Sequence, residues 1–259
     1  MALARLTTER EGRVARITLS RPDVRNAFNA ELIAELRRLF AELDARADLR
    51  AIVLDGEGKV FSAGADITWM RASLDLSEDE NRRDAEAMSD MYRAIDGCSK
   101  AVIARVHGAA IAGAAGLCAV SDIVISTEDA VFGFTETKLG IIPAVISPFV
   151  LAKIGVSHAR ALFLTGERFG ARRAQAIGLV HVVVPAAELD GAVENALNEI
   201  LTASPAAVAA AKRTLRAVRA ATYDESREIS TRAIAAQRVT PEGQEGLRAF
   251  LEHRKPSWS

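Results

Sequence analysis

The stretch AIVLDGEGKVFSAGADI, Ala51 to Ile67, decides the fold class. Its first five residues form a short apolar run, read as a buried strand. The next twelve are a loop of glycines and small residues that leads into a helix. The same order recurs downstream. VIARV, Val102 to Val106, reads as a strand, and HGAAIAGAAGLCA, His107 to Ala119, is a Gly/Ala-rich loop running into a helix. DIVIS, Asp122 to Ser126, is a third strand. Upstream, Val14, Ile17 and Leu19 suggest a strand closed by Ser20-Arg21-Pro22-Asp23. Asn29 then reads as the N-cap of a helix carrying Leu32, Ile33, Leu36, Leu39, Phe40 and Leu43 at helical spacing. Strands alternating with helices imply parallel pairing and an α/β fold. Parallel strands would bring both small-residue loops out at one sheet edge, where α/β folds place their ligands.

After about Ala144 the pattern becomes almost wholly helical. Segments beginning near Ser157, Ala171, Glu188, Pro205 and Asp224 show apolar spacing of three and four, the last ending at Thr240-Pro241-Glu242-Gly243. No linker rich in Gly, Pro or Ser and no internal repeat interrupts the chain.

The chain has 259 residues and a formal charge of −1, with 33 Lys and Arg against 34 Asp and Glu. Hydrophobic residues at 49% argue against disorder, and the neutral balance argues against a dedicated nucleic-acid binder. The two cysteines, Cys98 and Cys118, form no CxxC pair, which speaks against a disulfide framework or a cysteine zinc site. The longest uncharged stretch, Val106 to Ser121, is too short and too glycine-rich to span a membrane. The N-terminus lacks an apolar signal region, so a soluble cytoplasmic enzyme is expected.

No nucleophile elbow, HExxH pair, phosphate loop or GxGxxG occurs, and the four histidines are scattered. Three features remain. In Ala63-Gly64-Ala65-Asp66-Ile67, small residues let a ligand approach the backbone, and the Ala65 N–H could serve as one donor of an oxyanion hole. The turn also reads as a tight strand-to-helix connection with Asp66 stabilised at the helix N-terminus. Around Gly113, a backbone N–H at a helix start could point at an acyl oxygen, or the small residues could serve close helix packing. Glu136 lies among Phe132, Phe134, Leu139 and Ile141, where desolvation would raise its pKa towards that of a useful base. Equally, it reads as a loop acid paired with Lys138.

Taken together, AGADI, the Gly/Ala loop, GFTETKLGIIP, the helices and FLEHRKPSW come in an order that resembles the crotonase, or enoyl-CoA hydratase/isomerase, superfamily. The resemblance covers essentially the whole chain. It implies a spiral of ββα units over residues 1–200 and a helical trimerisation region over 201–259 that helps complete the CoA site. It also implies a homotrimer or a hexamer of paired trimers, and an acyl-CoA thioester as ligand. Coenzyme A would be part of the substrate, with no separate cofactor and no metal. Ala65 and Gly113 match the oxyanion hole, and Glu136 matches one of two acidic positions of the hydratases. Gly116 stands where the second glutamate would be, and its missing side chain is read as space for a branched or carboxylated acyl group.

The strings FSAGADITWM, GAAGL and TETKLGIIPAVISPF are similar to bacterial methylglutaconyl-CoA hydratases and related hydratases of branched glutaconyl-type thioesters. For CoA the resemblance implies Arg25, Ala27, Ala63, Asp66 and Ile67, with Phe250 and Lys255 approaching from a neighbouring subunit. Trp69, Met70 and the segment Arg71 to Met91 should border the acyl pocket. Glu78, Glu80 and Glu86 lie in that variable segment, unassigned: either one of them replaces the missing glutamate, or all of them lie on a solvent face. The expected activity is hydration of an α,β-unsaturated acyl-CoA, with Glu136 deprotonating water for attack at C3. A single-glutamate isomerase and a non-catalytic acyl-CoA-binding protein are the alternatives.

Overall fold

The computed structural model describes residues 3–258. The chain opens with β1 (Ala4–Glu9), β2 (Val14–Leu19), α1 (Ala30–Asp44) and β3 (Ala51–Gly56). Asn29 caps α1, its side chain accepting from the Leu32 N–H, and the six expected apolar residues form the buried face. Next come α2 (Ile67–Ala72), α3 (Glu78–Gly97), β4 (Ala101–Val106), β5 (Ala109–Ile111), α4 (Gly113–Val120), β6 (Ile123–Thr127) and β7 (Val131–Gly133). The second half holds α5 (Ser147–Thr165), β8 (Arg168–Gly170), α6 (Ala171–Ala176), β9 (Val182–Val184) and α7 (Leu189–Thr202). Three helices end the chain: α8 (Pro205–Ala220), α9 (Tyr223–Arg238) and α10 (Pro241–Leu251).

Two sheets form. The larger has the order β1-β2-β3-β4-β6-β9, the smaller β5-β7-β8. From β2 to β9 the larger sheet is parallel, as the alternation of strands and helices requires, and β1 adds antiparallel at the edge. The period of two along the central strands divides the core. Ile52, Leu54, Val102, Ala104 and Val124 face one apolar cluster with α1, α3 and α4. Ala51, Val53, Ile103 and Ile125 face the other, closed by Leu189, Val193, Leu197 and Leu201 of α7. Both faces of the sheet are therefore covered, which explains why these strands read as continuous apolar runs.

The second half is less uniformly helical than its spacing suggested. The Val182–Val184 run joins β6 as the parallel edge strand, and β8 pairs antiparallel with β7. The helix expected near Ser157 is the latter part of α5, which begins ten residues earlier and is broken at Gly155 (φ 76°, ψ 162°). The helix expected to reach Gly243 stops at Arg238, because Thr240 caps a new helix by accepting from the Gly243 N–H. The N-terminal strand β1 was not visible in the pattern. As an edge strand it is mostly exposed and lacks an alternating apolar set.

α8 is fixed to the core by charge as well as packing. The buried Lys212 ammonium donates to the Lys100 carbonyl at 2.8 Å and pairs with Asp122. The Arg50 guanidinium, also buried, donates to the Leu201, Ala203 and Trp258 carbonyls and ties the C-terminal segment to the sheet.

Candidate active site

The turn after β3 is held by Asn26. Its buried side chain donates to the carbonyls of Glu57 (2.8 Å), Val60 (3.0 Å) and Phe61 (3.1 Å). Downstream, Phe28 pairs with the turn as in a parallel ladder. Its N–H donates to the Gly64 carbonyl at 2.7 Å and its carbonyl accepts from the Asp66 N–H at 2.8 Å. Backbone groups alternate sides in such a pairing, so the intervening Ala65 turns its own N–H away from Phe28. That N–H has no acceptor among the described residues.

The second loop is stitched to the first. The Ser62 N–H donates to the Ala109 carbonyl (3.0 Å), and the Ile111 N–H donates back to the Ser62 carbonyl (3.3 Å). Gly64 sits at φ +92°, and a Cβ there would come within 2.7 Å of the Ile111 oxygen, so only glycine allows this approach. Ala112 leads into α4 at φ 51°, ψ −120°, a strained conformation for a residue with a side chain. Its N–H is anchored on the Gly133 carbonyl at 2.7 Å. Gly113 follows as the first residue of α4, and its N–H is likewise without an acceptor among the described residues.

Glu136 is carried by the chain leaving β7. Phe132 and Phe134 are fully buried, with Phe134 packed edge-on against Phe163 at 5.2 Å. The following tight turn, Glu136–Leu139, is closed by Gly140 at φ 75° and by a bond from the Thr137 hydroxyl to the Phe163 carbonyl (2.8 Å). Lys138 points to solvent, and Glu136 has no ion-pair partner among the described residues. Its Oε2 is buried without a hydrogen bond, and burial pushes its carboxyl above the usual range.

These three features meet in one cavity of about 350 Å³. Ala63, Ala65, Trp69, Gly113 and Glu136 all line it, as does Met70. The arrangement offers two free backbone donors on one wall and an unpartnered carboxyl on another, which is what polarising a carbonyl and moving a proton beside it requires.

The other expected residues lie elsewhere. Arg25 is exposed in a left-handed turn (φ 55°), and its carbonyl accepts from the Ala63 N–H (2.9 Å). Ala27 is buried. Asp66 caps α2 through the Thr68 N–H (2.8 Å) and pairs with Arg21 (2.8 Å). Burial raises its pKa, but these partners outweigh that and leave it below the ordinary value. Ile67 is exposed at the start of α2. Phe250 is 79% exposed, and Lys255 borders a separate depression with Arg10 and Arg13. In a single chain neither reaches the cavity.

Gly116 requires a correction. It is buried behind the cavity wall, and the volume beside it is filled. A Cβ would meet Ile146 Cγ2 at 2.5 Å and the Tyr92 ring and hydroxyl at 3.0 Å. Tyr92 is fully buried on α3 and donates its O–H to the Gly113 carbonyl at 2.7 Å. Burial and the nearby Glu136 charge keep its phenol neutral, well above its ordinary pKa. The glycine therefore makes room for tyrosine, not for an acyl group.

Of the acids left unassigned on α3, Glu78 is exposed in the first turn with neither a hydrogen bond nor an ion pair among the described residues. Glu80 completes a capping box with Ser77, and Glu86 pairs with Arg82 on the outer face. The acid that does line the cavity is Asp84.

The family model for enoyl-CoA hydratase/isomerase matches residues 9–259. A short-chain-enoyl-CoA hydratase of Clostridium acetobutylicum is 30% identical over 257 residues, covering 98% of this chain and 97% of the relative. The crystal structure of an enoyl-CoA hydratase from Shewanella pealeana superposes with a TM-score of 0.94 at 36% identity, covering 99% of this chain and 96% of that one. An enoyl-CoA hydratase structure from Mycobacterium smegmatis gives 0.94 at 31% identity, covering 100% and 99%. With nearly its full length matched, and with paired backbone donors and a glutamate sharing one cavity, the chain belongs to the enoyl-CoA hydratase/isomerase family.

Proposed function

We propose that this protein is an enoyl-CoA hydratase that adds water across the C2–C3 double bond of an α,β-unsaturated acyl-CoA. The observation that carries the reading is Glu136, unpartnered and facing the same cavity as the free N–H groups of Ala65 and Gly113. The two donors hold the thioester oxygen and stabilise the enolate as the water oxygen bonds to C3. Glu136 takes a proton from water and delivers one to C2. Coenzyme A is proposed to run past Ala63 and the exposed Arg25, with Phe250 and Lys255 reaching it from a second subunit.

The narrower candidate is a branched glutaconyl-type thioester such as 3-methylglutaconyl-CoA. The cavity volume accommodates a branched acyl group, but among the described residues no Lys, Arg or His lines it, and Asp84 and Glu136 would face a second carboxylate. Electrostatics therefore favours an uncharged acyl chain over a carboxylated one. A panel of crotonyl-, 3-methylcrotonyl-, methylglutaconyl- and isohexenylglutaconyl-CoA decides. Formation of a 3-hydroxyacyl-CoA supports the hydratase. A shift of the double bond without hydration identifies an isomerase, and tight binding without turnover a non-catalytic protein.

Gly113→Pro removes one donor at the first helical position, and its Cβ would come within 3.0 Å of the Tyr92 hydroxyl and 3.1 Å of Phe28, so folding is checked by circular dichroism alongside turnover. In variant protein that folds, turnover is expected to fall by ~10²–10³. A folded variant with near-normal turnover removes Gly113 from the oxyanion hole.

The 201–259 segment is proposed as the assembly region of a trimer, alone or paired as a hexamer. Support comes from apolar side chains left open to solvent in one chain, including Tyr223 at 92%, Phe250 at 79% and Leu251 at 74%. Truncation after Gly246 should reduce both the mass measured by light scattering and the affinity for CoA esters. Normal CoA-ester binding by the truncated chain speaks against a contribution from Phe250 and Lys255.

A further inference from the structure

The cavity contains a second carboxylate that the reaction scheme above does not use. Asn81, Asp84, Ala85 and Met88 on α3 lie three and four residues apart, and all four line the cavity. The outer face of the same helix carries Arg82, which pairs with Asp79 (3.5 Å) and Glu86 (3.2 Å). Asp84 is half-buried and has neither a hydrogen bond nor an ion pair among the described residues, although Arg82 and Arg83 precede it. Glu80 has a capping role and Asp79, Glu86 and Asp90 are paired, while Glu78 and Asp96 do not line the cavity, so Asp84 is the acid of this helix that faces it. Meanwhile the α4 position of Gly116 is sealed by Tyr92 and Ile146.

We propose that Asp84 is the second catalytic carboxylate of the hydration site, supplied from α3. The proposal rests on the hydratase reading above. Asp84 takes a proton from water as the water oxygen bonds to C3, and the C2–C3 π pair moves onto the thioester oxygen at the Ala65 and Gly113 N–H groups. The enolate carbonyl then re-forms as C2 takes a proton from the Glu136 carboxyl. Asp84 ends protonated and Glu136 ionised, and proton exchange with solvent restores both, so the net change is the addition of one water. Division of the two transfers between two groups lets each hold the protonation state its step needs.

The test uses the full-length enzyme with crotonyl-CoA. If wild type hydrates another ester of the panel in place of crotonyl-CoA, that ester is used throughout; if it hydrates none, the hydratase reading itself fails. With that activity in hand, Asp84→Asn is expected to lower kcat by about 10²-fold or more, with KM changed by less than about threefold. The acid limb of the kcat/KM–pH profile should disappear, because the ionised base that creates it is gone, and Asp84→Glu should recover part of the rate. Unchanged kcat with an intact acid limb overturns the proposal. So does a variant that keeps its crotonyl-CoA turnover and changes only its preference among acyl chains, since Asp84 would then be part of the acyl-chain wall.

Discussion

Glu136→Gln is expected to lower hydration turnover by about 10²–10⁴, because an amide neither accepts nor supplies the proton at working pH. The fold should persist. The carboxyl makes no ion pair among the described residues, and its Oε2 has no hydrogen bond to lose. Stability should change with pH in a defined direction. Burial raises the folded-state pKa of Glu136 above its unfolded value, so the folded protein binds this proton more tightly. The group thus favours folding below the ordinary carboxylate range and loses that advantage as pH rises through the raised pKa. Glutamine carries no such dependence. At neutral pH the variant should melt at the same temperature as wild type or higher, and the difference should close on acidification. Steady-state assays with crotonyl-CoA and melting curves over the acid-to-neutral range check both halves. Turnover above about a tenth of wild type, where a general acid–base group contributes at least 10²-fold, would remove Glu136 from the chemistry.

Gly116→Glu should disable the enzyme towards every substrate. From sequence, the added carboxylate would compete with a branched or carboxylated acyl group and lower the preference for methylglutaconyl-CoA over crotonyl-CoA. The packing predicts a different outcome. The new Cβ would be 2.5 Å from Ile146 Cγ2 and 3.0 Å from Tyr92, both buried. Overpacking of this kind costs typically about 1–3 kcal/mol, and a buried charge adds to it. Tyr92 would be driven off the Gly113 carbonyl, freeing the segment that carries one of the two proposed oxyanion donors. The expected result is a lower melting temperature and a general loss of turnover, with the ratio between the two substrates unchanged. A stable variant whose ratio alone changes would mean that Gly116 faces the acyl group after all.

The contrast between Glu136 and Gly116 indicates what can be read from a one-dimensional pattern. Local rules sufficed where neighbours in sequence are neighbours in space. Asn29 at a cap, the apolar face of α1 and the continuous runs of β3 and β4 follow from spacing alone. The motifs carried Ala65, Gly113 and Glu136 into one site, because parallel strands deliver their following loops to one edge. Val182–Val184 escaped notice because a three-residue strand is too short to show a period, and only pairing with β6 makes it one.

Asp84 was legible in principle. Positions 81, 84, 85 and 88 share a helix face, but nothing local says whether that face meets a cavity or water. The sequence by itself determined the α/β class, and the order of its motifs, through their resemblance to a known family, singled out Ala65, Gly113 and Glu136, since both rest on backbone propensity and order along the chain. Only the tertiary structure decided that Gly116 is a packing residue and that Asp84 faces the cavity. Both depend on how α3 lies against α4, and that is set by which side chains, Tyr92 and Ile146 among them, fill the space between distant parts of the chain.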